Sequence, residues 1–157
     1  MKKLLAVLLA AIMILSFAGC GQSKGTAPEF MGGYLFGGLI SENEGVEEPT
    51  SLYNKPLADV ELGYRESDGT LYRIMYTFAP GVTLDIVLES IIEEVGTYSD
   101  YECTLAKGYL VYGVDYSRYT YRWSFNEYDI QLTFIEDYVD LYGSKPDELL
   151  LVISDYD

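Results

Sequence analysis

Apolar and polar positions along this chain change period several times, and each change marks an element. Leu4 to Leu15 is an unbroken apolar run behind Lys2 and Lys3, too short for a membrane-spanning helix, which needs roughly 20 residues. From Gly21 to about Pro56 no period is sustained, and the stretch is rich in Gly, Glu, Ser and Pro. One apolar island interrupts it, "FMGGYLFGGLI" from Phe30 to Ile40, in which two Gly-Gly pairs work against a stable isolated helix or strand. An island of this kind usually docks on something.

Alternation begins in "LADVELGYRESDGTLYRIMYTF", two runs around Ser67-Asp68-Gly69. A two-residue Asp-Gly turn mixes polar and apolar residues on each face. A three-residue loop with Gly69 in the left-handed conformation pairs Ala58 with Phe78, Val60 with Tyr76, Leu62 with Ile74 and Tyr64 with Tyr72. That register gathers the large apolar residues on one face, and a slip by one position loses it. After Pro80-Gly81 the period becomes helical. Leu84, Val87, Leu88, Ile91, Ile92 and Val95 fall on one stripe, with Thr83 as the N-cap, Asp85 at the positive end and Gly96 as the stop. Glu89, Glu93 and Glu94 lie off the stripe.

Alternation then resumes in "YLVYGVDY", "YTYRWSF" and "YDIQLTFI". With two-residue turns at Ser117-Arg118 and Asn126-Glu127, the first hairpin pairs Tyr116 with Tyr119, Val114 with Tyr121, Tyr112 with Trp123 and Leu110 with Phe125. The second pairs Phe125 with Tyr128, Trp123 with Ile130, Tyr121 with Leu132 and Tyr119 with Phe134. The opposite face, with Asp115, Thr120, Arg122, Ser124, Asp129, Gln131 and Thr133, reads as solvated. "EDYVDLYG" reads as a solvated connection, and "ELLLVIS" after Lys145-Pro146 as a last strand. The predicted fold is α+β, an antiparallel sheet of five or six strands with one helix packed on one face, in ββαββββ order.

Composition narrows the function classes. The chain carries 25 acidic and 10 basic residues, a net charge of −15. Such a surface is repelled by phosphate backbones and anionic headgroups, so nucleic acid is not expected as a partner. The chain has no histidine, which excludes Ser-His-Asp and Cys-His catalysis. The two cysteines form no disulfide framework, and Cys103, between Glu102 and Thr104, reads as a small buried hydrophobe.

The opening residues have the three parts of a secretory signal. Phe17-Ala18-Gly19-Cys20 resembles the lipobox of bacterial lipoproteins, with Phe17 where leucine is usual. The resemblance covers only the first 20 or so residues. It implies cleavage before Cys20, a diacylglycerol on its thiol, and a bacterial envelope protein tethered outside the cytoplasm. Ser16-Phe17-Ala18 is an alternative small-x-small cleavage site, which would leave a free Cys20 in a secreted protein. In the lipobox reading residues 1–19 are the leader, 20–56 an acylated cysteine and linker carrying the island 30–40, and 57–157 one domain. Loss of Lys2 and Lys3 leaves 8 of the 10 basic residues against 25 acidic ones, a net charge of −17.

The aromatic face is the expected site. Most of the 16 tyrosines alternate onto the core side, as strand aromatics do. Five or six strands at ~4.8 Å span roughly 25 Å, however, and one helix about 10 Å across cannot roof that width. An aromatic groove beside the helix, lined by Tyr112, Tyr121 and Trp123, would bind a protein or small-molecule partner, making the chain a lipid-anchored binding module rather than an enzyme, with no cofactor. Two alternatives stand beside it. One is a structural or assembly lipoprotein of an envelope complex. The other is an envelope enzyme using Glu136, Asp137 and Asp140 as acid/base or metal-binding carboxylates, although their spacing fits no calcium loop.

Overall fold

The computed structural model describes residues 28–106, 115–140 and 143–155. The leader, Cys20 with its lipobox, and Tyr112 lie outside the described residues. A 3-10 turn (Glu29–Met31) and a short helical turn, α1 (Ile40–Asn43), precede the strands β1 (Ser51–Leu52), β2 (Lys55–Tyr64) and β3 (Leu71–Phe78). Helix α2 (Leu84–Val95) follows, and then β4 (Asp100–Ala106), β5 (Asp115–Ser124), β6 (Asp129–Asp140), β7 (Gly143–Ser144) and β8 (Glu148–Ser154). The strands form one antiparallel sheet in the order β1-β2-β3-β8-β6-β5-β4, with β7 attached to β6.

The architecture is mainly β, an antiparallel sheet with one substantial helix, and is wider than expected. Seven strands lie in sequence across it instead of five or six. β1 and β4 are the unexpected ones, whereas of the expected strand "YLVYGVDY" only Asp115 and Tyr116 are described, and they open β5. The last strand, β8, pairs β3 on one side and β6 on the other, so the C-terminal segment joins the two hairpin halves into a continuous sheet. Its alternation is complete, with Leu149, Leu151 and Ile153 buried.

The first hairpin keeps the expected register at its centre, Val60 with Tyr76 and Leu62 with Ile74, and departs from it at both ends. Bulges place Leu57 rather than Ala58 opposite Phe78, and Leu71 rather than Tyr72 opposite Tyr64. Each bulge inserts an extra residue and reverses the alternation beyond it. Leu71 therefore occupies the core, while the Tyr72 ring lies under the Arg65 guanidinium at 5.6 Å. Gly69 has φ 75°, the left-handed geometry the loop requires.

In the second half, the Asn126-Glu127 turn and all of its expected pairs are present, from Phe125 and Tyr128 at the turn to Tyr119–Phe134. The Ser117-Arg118 turn is not. Both residues run inside β5, which pairs β4 in a register that includes Tyr121–Tyr101 and Tyr119–Cys103. Tyr119 therefore pairs Cys103 and Phe134 instead of Tyr116, and Leu110, Tyr112 and Val114 of the other expected pairs lie outside the described residues. "EDYVDLYG" is also more regular than expected, since β6 continues to Asp140. The outer face is only partly solvated. Thr120 and Thr133 are buried side by side, with their hydroxyl oxygens 3.5 Å apart and Gln131 donating to Thr133, because Leu150 and Thr77 continue the same cross-strand row.

Helix α2 is bounded by Thr83 and Gly96, as its pattern predicts. Thr83 supplies the extended backbone of an N-cap, but its side chain makes no capping bond. Val87 and Ile91 enter the core, and Glu89, Glu93 and Glu94 are exposed.

The apolar island docks on the domain. Phe30, Met31 and Tyr34 are core residues, joined by Leu52 and Tyr53 from the β1 region. The folded unit thus reaches back at least to Pro28 instead of beginning at residue 57. Gly37 and Gly38 form a two-way backbone bridge with Leu71 at 2.8 Å each way. Asn43 is buried and holds the loop's polar backbone, accepting from Leu35 N–H and donating to the carbonyls of Leu35 and Leu39. Two carboxylates latch the segment. Glu29 accepts from the Tyr53 N–H, and Glu94 accepts both the Glu29 N–H and the Tyr53 hydroxyl. Among the described residues no helix is long and apolar enough to cross a membrane.

Candidate functional site

Seven strands at ~4.8 Å make a face about 34 Å wide, and its cover comes in three pieces. The island covers one end, where Phe30 and Phe36 meet Tyr128 at 6.1 and 5.7 Å between centroids. Helix α2 sets Val87 and Ile91 into the core cluster. Tyr98, just beyond the helix, covers part of the far side, meeting Tyr121 edge-on at 5.0 Å and Trp123 at 6.0 Å. What remains open is the corner of β4, β5 and β6 beside the N-terminal end of α2. A cavity of about 450 Å³ lies there.

Its floor is built by strand alternation. Tyr121 and Tyr101 sit opposite each other on β5 and β4, with ring centroids 4.9 Å apart. One row further on, Tyr119 and Phe134 stack at 6.3 Å across β5 and β6. The opposing wall is the Gly81–Asp85 approach to α2, with Asp85 in the helix's first turn. Glu136 of β6 and Asp147, in the segment leading to β8, complete the lining with carboxylates. No Lys or Arg lines the cavity among the described residues.

One hydrogen bond organises the polar side. Tyr119 donates its hydroxyl to Glu136 at 2.6 Å. That acceptor, together with burial, pushes the Tyr119 phenol up to about 12, so it remains a proton donor at any ordinary pH. Tyr121 and Tyr101 are also held above the usual phenol range, chiefly by burial. The site thus combines neutral phenols and aromatic rings with carboxylates.

The expected lining residues separate. Tyr121 lines the cavity. Trp123 does not; it is 2% exposed, and its indole N–H donates to the Gly96 carbonyl at 2.8 Å. Tyr98 and the C-terminal end of α2 cover it, so its role is to fix helix to sheet. Tyr112 lies outside the described residues. Of the proposed carboxylates, Glu136 reaches the cavity, whereas Asp137 and Asp140 are placed here only by their backbone in β6. Among the described residues no group of three His, Cys, Asp or Glu is placed to hold a metal.

Tyr101, Tyr119, Phe134, Asp85 and Asp147 are among the lining residues that the sequence pattern did not reveal. The alternation of Tyr101, Cys103 and Leu105 was the available signal for β4, obscured by the polar Asp100, Glu102 and Thr104 between them. Cys103 is exposed, not buried, because β4 is the sheet's edge and no described strand covers its far side.

A second cavity, of about 640 Å³, lies toward the other side of the sheet around Ile135, Tyr138 and Pro146. It mixes Arg118 and Lys145 with Asp147 and Glu148, and these opposed charges favour no single ligand chemistry. No protein-family model, no curated protein and no solved structure matches the chain.

Proposed function

We propose that the chain is a lipid-anchored binding module of the bacterial cell envelope, held outside the cytoplasm by diacylglycerol on Cys20 and binding a small molecule at the β4–β5–β6 corner. The observation that carries the binding reading is the 450 Å³ cavity walled by Tyr101, Tyr119, Tyr121 and Phe134. Concave aromatic sites with a few convergent polar groups are the usual form of a small-molecule site. The anchor rests on the leader and its lipobox. An acidic surface is repelled by anionic headgroups, so acyl chains would supply the attachment, two or three of them holding stably where one is marginal.

Two measurements test the two parts. Mass spectrometry of the mature N-terminus is expected to give Cys20 with added acyl mass, and an unmodified N-terminus at Gly19 overturns the anchor. A fragment library of mixed charge, screened by NMR, is expected to shift the ring signals of Tyr119, Tyr121 and Phe134. A library that leaves all of them unmoved overturns the binding site. A second reading, as an assembly lipoprotein of a larger complex, is favoured by the edge strand β4, which exposes Tyr101 at 45% and Leu105 at 66% and pairs only β5 among the described strands.

A further inference from the structure

We infer that the ligand of this cavity is a small organic cation carrying a methylated ammonium group. The inference rests on the binding reading above and adds its chemistry. Four aromatic rings line the cavity, and ring faces attract a cation through their quadrupole, most effectively where water is displaced. Three carboxylates, those of Asp85, Glu136 and Asp147, line the same space. Neither Asp85 nor Glu136 has a salt-bridge partner among the described residues. The Tyr119 hydroxyl occupies one oxygen of Glu136, which fixes the carboxylate on the wall and leaves its negative charge in place.

Charge distribution argues against the other ligand classes. An anion would meet the carboxylates of Asp85 and Glu136 and, among the described residues, no basic group in the lining. The one anion-favouring feature is the positive end of α2, and Asp85 in its first turn already answers it. A neutral sugar could stack on the rings but would draw nothing from the carboxylates beyond hydrogen bonds. A net charge of −15 on the chain also raises the local concentration of cations at its surface. Methylation matters because a bare ammonium is strongly hydrated, whereas methyl groups spread the charge over a surface that suits ring faces.

The test uses the folded mature chain and three probes: choline, its uncharged isostere 3,3-dimethylbutan-1-ol, and phosphocholine. Isothermal titration calorimetry gives affinity, and NMR shifts at Tyr119 and Tyr121 give location. Choline is expected to bind at least tenfold more tightly than the isostere and more tightly than phosphocholine. Glu136→Gln is expected to weaken choline severalfold and the isostere by clearly less. Equal affinity for choline and the isostere overturns the inference while leaving a binding cavity that selects by shape. Choline that fails to bind, or that shifts residues elsewhere, also overturns it. The mixed-charge library separates that case from failure of the site, because neutral or anionic fragments would then still move the cavity's ring signals.

Discussion

Tyr119 and Glu136 face the same cavity from neighbouring strands, joined by a 2.6 Å hydrogen bond from phenol to carboxylate. The pairing follows from the β5–β6 register, which sets Tyr119 opposite Phe134 and Ser117 opposite Glu136. Glu136 is thereby the diagonal neighbour of Tyr119 on the same face, within reach of a long side chain.

The first prediction concerns pH. A phenol raised from 10.0 to about 12 keeps its proton in the folded chain above the pH at which the unfolded chain loses it. Its contribution to stability is complete below about pH 10 and declines as pH rises through 12. Tyr34, Tyr64, Tyr101, Tyr121 and Tyr128 are displaced in the same direction, mainly by burial. Phenolate absorbance should therefore rise late and together with loss of folded signal. In Glu136→Gln, where the negative acceptor is gone, Tyr119 should titrate closer to 10. An unchanged Tyr119 titration would show that the carboxylate bond does not form in solution.

A second prediction uses the only tryptophan in the chain. Trp123 is buried and donates to Gly96 O, so its emission should be blue-shifted in the folded state and move to the red on unfolding. Trp123→Phe keeps an aromatic ring but leaves the Gly96 carbonyl without this donor. Stability should fall by about 1–3 kcal/mol, the cost of an unmade buried hydrogen bond, measured by urea unfolding. Choline affinity should change little, because Trp123 does not line the cavity.

How far the pattern could be read depended on how strongly each face was buried. Helix α2 was fully legible because its stripe is uninterrupted and Gly96 ends it with φ 91°. The β5–β6 register was legible because a slip by one would have exposed Leu132 and Ile130. The turn at Ser117-Arg118 was misplaced for a related reason. An alternating run gives no internal mark of where a hairpin bends, and without glycine there the choice was open. Strand β4 was missed because an edge strand is not required to be apolar on both faces. The bulges that replace Ala58 by Leu57 and Tyr72 by Leu71 are local departures from period two, invisible wherever that period is assumed. Tyr121 lines the cavity, as does Glu136, which was named only for the enzyme alternative, while Trp123 is a core residue, and core and groove residues alternate identically. Only the placement of Tyr98 and the end of α2 separates them.

The third prediction concerns the docked N-terminal segment. Phe30 is completely buried and meets Tyr128 at 6.1 Å. Phe30→Ala should cost about 3–5 kcal/mol, as large-to-small changes at buried aromatic sites do. A chain beginning at Leu57 would expose the surfaces now covered by Phe30, Met31, Tyr34 and Leu52 and should unfold at much lower denaturant concentration, or fail to fold. If that shortened chain were as stable as one beginning before Pro28, the segment would be only a tether.

The last prediction joins two residues from the island and the sheet. Tyr76 is fully buried, yet its hydroxyl finds no hydrogen-bond partner among the described residues. Gly32 lies against it with φ 59°, and a Cβ built there would run into Tyr76 Oη. Gly32→Ala thus meets two obstacles, a left-handed backbone and a steric collision. Gly37→Ala has φ 74° with open space around the new methyl, so it isolates the backbone cost, about 1 kcal/mol. Gly32→Ala should be clearly worse than that control. Tyr76→Phe removes a buried, unpaired hydroxyl and should be neutral or stabilising. It also removes the atom nearest to the added methyl, so the double variant should recover part of the Gly32→Ala loss. Residues in contact commonly show coupling of about 0.5–3 kcal/mol. Strict additivity in the four-way unfolding cycle would mean that Gly32 and Tyr76 are not in contact, and that the island sits differently on the sheet.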